Sequence, residues 1–435
     1  MKKTLIAVLA ATSLLFAESY QVNTLSAKQM GMAHVGAGMK LGSESMHFNP
    51  GGLGFLDKKL DVSAGATFII PEVEIWANGV KTINSKLGTP LYLYAASNIT
   101  DWLSAGISFT TPYGNSADYG KDWAGANLLQ DISLAVYAVQ PTIAFRPISQ
   151  LSIGVAPAIY FGSFEQSKAL TFYPPGSTTA AASATFSGDA DVAVAVNAGI
   201  LYDILQDKLA FGIGYRSEAK MKVAEGKTKV NYSVPDPIKS AIASQLPTFE
   251  KGTFKAELPL PANLNTGISF RPIDNLLLAF DWQWIFWGTY EKLAIDFSDD
   301  VTITAPGVGN IPFNKTPNAA ASSKKYHDTF AYRLGAQYTL IDQLDLRFGA
   351  YYDESPVDDD YLTPESPSTD KLGGTIGLSF RPISGLSIDA SLLRSIALPG
   401  RDATSGSNKE KAGDGLDARY EVTAWVPSIG LNYSF

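Results

Sequence analysis

Three histidines, two arginines and a run of tryptophans are the residues of this chain best equipped for chemistry or recognition. His34 and His47 fall near the start and His327 far away. A metal site wants convergent ligands, and scattered histidines do not promise them. No serine pairs recognisably with a histidine and an orienting acid, so a hydrolase would lack its machinery. Cysteine is absent, which removes thiol chemistry and disulfides. We therefore expect no enzyme activity, no metal and no cofactor. Recognition is the better prospect. Arg333 and Arg347 fall on the same parity of neighbouring alternating segments. Such a pair either holds a carboxylate headgroup or is consumed by Asp345, Asp281 or the N-terminal segment. Trp282, Trp284 and Trp287, with Phe286 and Tyr290, read as an interfacial aromatic girdle or, alternatively, a substrate-catching patch. Asn49-Pro50 is either a hinge or an ordinary Asx-Pro turn.

These residues need elements to hold them, and the elements alternate. Counting back from Phe435, Tyr433, Leu431, Ile429, Pro427 and Trp425 alternate with small or polar residues. Phe330, Tyr332, Leu334, Ala336 and Tyr338 alternate with Arg333 and Gln337; Leu346 and Phe348 with Asp345 and Arg347; Phe280, Trp282 and Trp284 with Asp281 and Gln283. A period of two gives one apolar and one polar face. A charge on the lipid side at mid-depth costs about 2–4 kcal/mol, so the charged set must face a lumen.

The strands come as hairpins. Phe145-Arg-Pro-Ile148, Phe270-Arg-Pro-Ile273 and Phe380-Arg-Pro-Ile383 each end a strand, and weaker versions lie at Asn98–Asp101, Tyr202–Asp207 and Tyr338–Gln343. Proline cannot donate to a ladder, which places it in the turn. Between these six short turns lie seven long polar connections, at about 71–90, 113–129, 164–188, 224–255, 298–326, 354–370 and 399–417. Together they join fourteen strands. The expectation is all-β: a fourteen-stranded antiparallel transmembrane β-barrel over 60–435, with short periplasmic turns and long outer loops. Within the outer loops, Ile238–Leu246 has a weak amphipathic helical pattern.

Residues 1–17 have a charged start, a short apolar run and Ala17, the pattern of a cleaved signal peptide. Without them 32 basic residues face 42 acidic ones, a net of −10, which argues against nucleic acid as a partner. Residues 18–59 are rich in glycine and turn signals and fit no strand; they are expected as a hatch inside the lumen, because a barrel of this width is not filled by strand side chains. The expected location is the bacterial outer membrane. Lipids and, during biogenesis, the barrel-assembly machinery are the expected partners of a chain that is monomeric.

Three stretches then resemble the FadL family (OMPP1/FadL/TodX) of outer-membrane transporters of long-chain fatty acids and hydrocarbons. The first runs from Gly31-Met-Ala33 through Phe48-Asn49-Pro50-Gly51-Gly52-Leu53, similar to the family's Asn-Pro-Ala-Gly-Leu hatch signature with Gly51 in place of alanine. The second is Leu258-Pro-Leu-Pro-Ala262, Gly267–Pro272 and the Trp-rich strand to Trp287. The third is Tyr332–Gly335 through Leu346–Gly349, Tyr352-Asp353, Ser355-Pro-Val357 and Thr363-Pro364. The resemblance implies a fourteen-stranded barrel with an internal hatch, uptake of a hydrophobic small molecule, and lateral exit through the third strand, Leu103–Pro112, with Gly106 and Pro112 as kink sites; the glycines of the hatch around the stiff corner Asn49, Pro50 and Gly51 make that corner the expected gate. Composition and spacing also admit a general polar porin, or a structural or adhesive surface protein acting through its loops.

Overall fold

The computed structural model describes residues 19–170, 182–232, 248–249, 253–297, 302–305, 309–312, 322–398, 401–403 and 416–435. The signal-peptide reading and the helical pattern at Ile238–Leu246 lie outside the described residues.

The barrel strands are β1 (Asp61–Thr67, continued by Ile70–Ala77), β2 (Val80–Asn84 and Leu91–Thr100), β3 (Leu103–Asp118), β4 (Asp131–Ile148), β5 (Leu151–Ala169), β6 (Ala182–Leu205) and β7 (Leu209–Arg216 and Ala219–Tyr232). They continue with β8 (Thr253–Leu260 and Asn263–Ile273), β9 (Leu276–Ile285), β10 (Thr329–Ile341), β11 (Leu344–Asp353), β12 (Lys371–Ile383), β13 (Leu386–Ala397) and β14 (Ala418–Ser434). Each pairs antiparallel with its neighbours, and β1 closes on β14 from Asp61↔Ser434 to Thr67↔Ser428. Phe435 and Leu60 seal the closure by exchanging backbone bonds of 2.9 and 3.1 Å. Closure leaves no sheet edge, the condition for strands to stand in lipid.

Side-chain parity divides inside from outside. Ile107, Ile143, Val194, Ile213, Leu334, Phe348 and Ile376 are exposed on the wall, while Asp281, Arg333, Asp345, Arg347 and Asp389 are buried inside. Exposed apolar side chains in such a band face hydrocarbon. Trp282 and Trp284 stand on the outer face with Phe330, whose ring stacks 5.6 Å from that of Trp282, as a girdle requires. Trp287 and Tyr290 do not join them. The strand ends at Ile285 and a 3₁₀ turn, Trp287–Thr289, carries both rings to the lumen, where they are buried. Strand parity no longer applies once the backbone leaves the extended form.

The proline-bearing repeats also differ from the expectation. Arg146-Pro147, Arg271-Pro272 and Arg381-Pro382 sit in bulges just before two-residue turns, at register shifts between Phe145 and Ile148, Phe270 and Ile273, and Phe380 and Ile383. Each arginine amide bonds to the preceding turn, on Trp102, Lys208 and Gln343 at 2.8, 2.7 and 2.8 Å. The proline takes the bulge position where no donor is called for.

Several long connections are strand for much of their length. Residues 71–90 contain a hairpin whose turn, Asn78-Gly79, has φ of 52° and 76°. Strands reach Asp118, Ala169 and Tyr232 on one side and begin again at Asp131, Ala182 and Thr253 on the other. The loop 354–370 folds into the barrel mouth, burying Val357, Leu362, Thr363 and Glu365.

Candidate functional site

Residues 19–59 pack against inward faces of strands around the barrel. Ala27 N–H donates to the Tyr92 hydroxyl at 2.9 Å and the Tyr94 hydroxyl donates to Leu25 C=O at 2.9 Å. Asp281 accepts the amides of Gly36 and Ala37 at 2.6 and 2.9 Å. Thr375 Oγ1 donates to Gly31 C=O at 3.1 Å, and Ser269 Oγ to Gly38 C=O at 2.7 Å. Backbone that leaves regular structure must be satisfied by side chains when buried, and the inward-facing polar residues do this.

Asn49, Pro50 and Gly51 lie at the centre of this packing. Asn49 is fully buried; its Nδ2 donates to Ala37 C=O at 2.7 Å and to Ile200 C=O on β6 at 3.0 Å, and its Oδ1 accepts Gly51 N–H at 3.0 Å. It thereby caps the 3₁₀ helix Pro50–Phe55. At Gly51 a Cβ would stand 2.8–2.9 Å from Leu201 N, Gly199 O and Ile200 C. Glycine is therefore fitted to the wall here, and the alanine of the family signature would displace backbone.

β3 carries the irregularity. Its ladder with β4 shifts register between Thr110 and Tyr113, and its ladder with β2 stops at Tyr92↔Thr110. Beyond that point Thr111 to Ala117 are buried without alternation, and the strand has parted from β2 while staying paired with β4. The seam towards β2 is bridged by side chains: Thr111 Oγ1 accepts Leu91 N–H at 3.0 Å, and Asn84 Oδ1 accepts Asp118 N–H at 3.0 Å. Pro112 lies in this bulge. Gly106 lies below it in regular register, where a Cβ would meet Met46 Sδ at 2.7 Å and Ala95 O at 2.8 Å.

The start of the N-terminal segment lies along the inner side of the bulge. Val22 N–H donates to Pro112 C=O at 2.8 Å, Gly114 N–H donates to Tyr20 C=O at 2.8 Å, and Gln21 forms an isolated bridge with Tyr113. The Tyr20 side chain stands in an aromatic cluster, with ring centroids 4.9 Å from Trp287, 5.6 Å from Tyr290 and 6.3 Å from Tyr113. Its hydroxyl donates to Pro259 C=O.

On the outer side of Tyr20 is a narrow apolar chamber of about 60 Å³, partly open to solvent, walled by Val136, Phe164, Met221, Leu258 and Tyr290. On the inner side is a small polar cavity of about 30 Å³ lined by Asn23, His34, His47, Arg216, Asp281 and Arg333 among others. Burial holds the two imidazoles neutral: His34 is lowered to about 3 by burial and then by the nearby Arg333 guanidinium, and His47 is lowered by burial and Arg216. A wide polar vestibule opens below, at the short-turn end.

The two arginines part company. Arg333 faces the polar cavity, with Nη1 donating to Gln283 Oε1 at 2.5 Å. Arg347 sits in a wall network, 3.6 Å from Asp345 and 3.7 Å from Asp389, and donates Nε–H to Gln337 Oε1 at 2.9 Å. Sequence reasoning missed Arg216 and Tyr20. Arg216 follows Gly212 and Gly214 on the inward parity of β7, a signal that was present; nothing local marks Tyr20.

Comparison with known proteins agrees with this architecture. The sequence profile of the family described as outer membrane protein transport protein (OMPP1/FadL/TodX) matches residues 8–435. A long-chain fatty acid transport protein of Escherichia coli O6:H1 is 23% identical, the match covering 99% of this chain and 97% of that one. A 47 kDa outer membrane protein of Pasteurella multocida is 25% identical over 55% of this chain, and the match spans only half of that protein's length. Among solved structures, a Pseudomonas aeruginosa FadL homologue superposes with a TM-score of 0.76 at 18% identity, covering 96% of this chain and 100% of that one. The Pseudomonas putida toluene transporter TodX gives 0.70 at 14% identity, covering 96% and 100%.

Proposed function

The chain belongs to the outer membrane protein transport family (OMPP1/FadL/TodX), and on that premise we propose that it carries hydrophobic small molecules passively inward across the outer membrane, without chemistry on its cargo. The observation that carries the proposal is an apolar chamber lined by Tyr20 and by Asn115 of β3, next to the segment Tyr20–Val22 that bonds to the β3 bulge. Passage straight down is unfavourable: an apolar molecule would have to enter a cavity lined by Arg216, Arg333 and Asp281 and displace water and polar partners from it. The seam beside Pro112 offers a dry path sideways into lipid.

In this reading residues 18–59 are the hatch. Asn49, Pro50 and Gly51 fix its body to β6, and Tyr20–Val22 is the part that moves. Ligand filling the chamber competes with the Tyr20 ring, releases the bonds to Pro112 and Gly114, and so biases a two-state element. Gly106 lets Met46 pack closely beneath the exit, Arg333 faces the polar barrier below it, and Arg347 keeps the wall rigid. The barrel works as a monomer in the lipids of the outer membrane, after insertion by the assembly machinery that reads its C-terminal strand.

The test combines two assays. Cells lacking the gene should lose uptake of a radiolabelled hydrophobic tracer and regain it with the intact chain, while liposomes carrying the purified barrel should not swell rapidly in sugars. Rapid sugar flux would make it a porin, and unchanged uptake of every hydrophobic tracer would leave a structural or adhesive role.

A further inference from the structure

We propose that the outer chamber selects uncharged hydrophobic ligands over carboxylates, and that Glu365 sets this selectivity through its pairing with Lys324. The inference rests on the transport reading and narrows its substrate class.

Among the chamber's described lining residues there is no lysine, arginine or histidine, and the two charged ones are both acidic, Glu257 and Glu365. Glu257 belongs to the outer face, where Lys220 and Lys222 stand 3.5 and 3.3 Å from it. Glu365 is different. It comes from the loop folded into the mouth, is buried, and receives Lys324 Nζ at 2.7 Å. Lys324 is itself fully buried and also donates to Thr363 Oγ1 at 3.1 Å. A buried acid and a buried ammonium cancel, and the ammonium is already engaged.

A carboxylate entering this chamber loses its hydration and gains no free positive partner. The Glu365 carboxylate beside it is offset by Lys324, so the pair supplies no net attraction to replace the lost hydration. The cations of the lumen, Arg216 and Arg333, lie on the other side of Tyr20 in the polar cavity. An alcohol, an alkane or an arene meets none of these penalties and gains burial against Val136, Phe164, Met221 and Leu258.

Glu365 is also placed independently of its charge. Asn115 Nδ2 donates to the Glu365 carbonyl at 2.8 Å, and the Tyr119 hydroxyl donates to the Pro364 carbonyl at 2.9 Å. Replacing the carboxylate by an amide should leave the loop seated and convert Lys324 into an uncompensated cation beside the chamber.

The experiment titrates purified barrel in detergent at pH 8 with two ligands of equal chain length, 1-dodecanol and dodecanoate, reading the change in tryptophan fluorescence. The intact chain should favour the alcohol by about tenfold or more. Glu365→Gln should cut that ratio by about tenfold, chiefly through tighter dodecanoate. The double variant Glu365→Gln with Lys324→Met should restore the preference. Equal affinity of the intact chain for both ligands, or a ratio that Glu365→Gln does not move, overturns the inference while leaving transport standing. Binding of neither ligand overturns the transport reading and the inference together.

Discussion

Replacing Asn49 by alanine should loosen the N-terminal segment while sparing the barrel. The amide makes three hydrogen bonds, to Ala37 C=O, Ile200 C=O and Gly51 N–H, the first and last of them buried. Each buried group left without a partner costs about 1–3 kcal/mol. Water entering the vacated space recovers part of that, so the local loss should be about 2–4 kcal/mol. By the same scale this is about a 30- to 1,000-fold rise in the opening equilibrium of the Pro50–Phe55 turn. Hydrogen exchange followed by mass spectrometry reads it directly, on peptides covering 45–56 compared with peptides from β10 and β11. The wall strands are held by ladders that Asn49 does not enter, so their exchange and the heat-modifiable gel mobility of the barrel should be unchanged. Exchange in 45–56 altered by less than about threefold would refute the claim that this side chain pins the segment. Global loss of the folded barrel would refute the claim that segment and wall are separable.

Acid should loosen the same segment through His34. Its folded value is lowered to about 3 by burial, so the packed form binds fewer protons than the open form, and its stability is held above pH 6.5 and lost as pH falls below that. At pH 5 the loss is about 2 kcal/mol, which should appear as faster exchange across 29–48 after correction for intrinsic rates; His34→Gln should make the profile shallower, leaving the part due to buried His47, and a flat profile in the intact chain would count against the burial argument. Thr111→Val should weaken the seam between β2 and β3 by about 1–2 kcal/mol, because Thr111 Oγ1 bonds to Leu91. Tracer uptake should rise, and slower uptake would show that the seam is not an exit.

Where the chain stays extended, much of this architecture was legible. Arg333, Arg347, Asp281 and Asp345 could be assigned to the lumen because lipid penalises the alternative, and they are buried there. The hairpin in 71–90 was missed although Asn78-Gly79 is a strong hairpin signal, because polar residues around it resemble a loop. Trp287 and Tyr290 were misplaced because a 3₁₀ turn resets parity. The proline repeats signalled a break in pairing without distinguishing turn from bulge. Tyr20, Thr111 and Glu365 could not be found at all: their roles come from contacts with Pro259, Leu91 and Lys324, and nothing in local sequence encodes such distant pairings.

The central claim is that Tyr20–Val22 must leave the β3 bulge for cargo to pass. Gln21 and Tyr113 are bridge partners, and the natural chain has no cysteine, so a Gln21→Cys, Tyr113→Cys pair can be oxidised without competing thiols; bridge partners stand within the roughly 4.4–6.8 Å Cα range of a disulfide. Uptake of a hydrophobic tracer should then be measured in cells with the pair oxidised and again after reduction. The account predicts that the oxidised barrel is folded, binds ligand and transports little, and that reduction restores uptake. Equal uptake in both states would contradict it, since a tethered segment could not then be the gate.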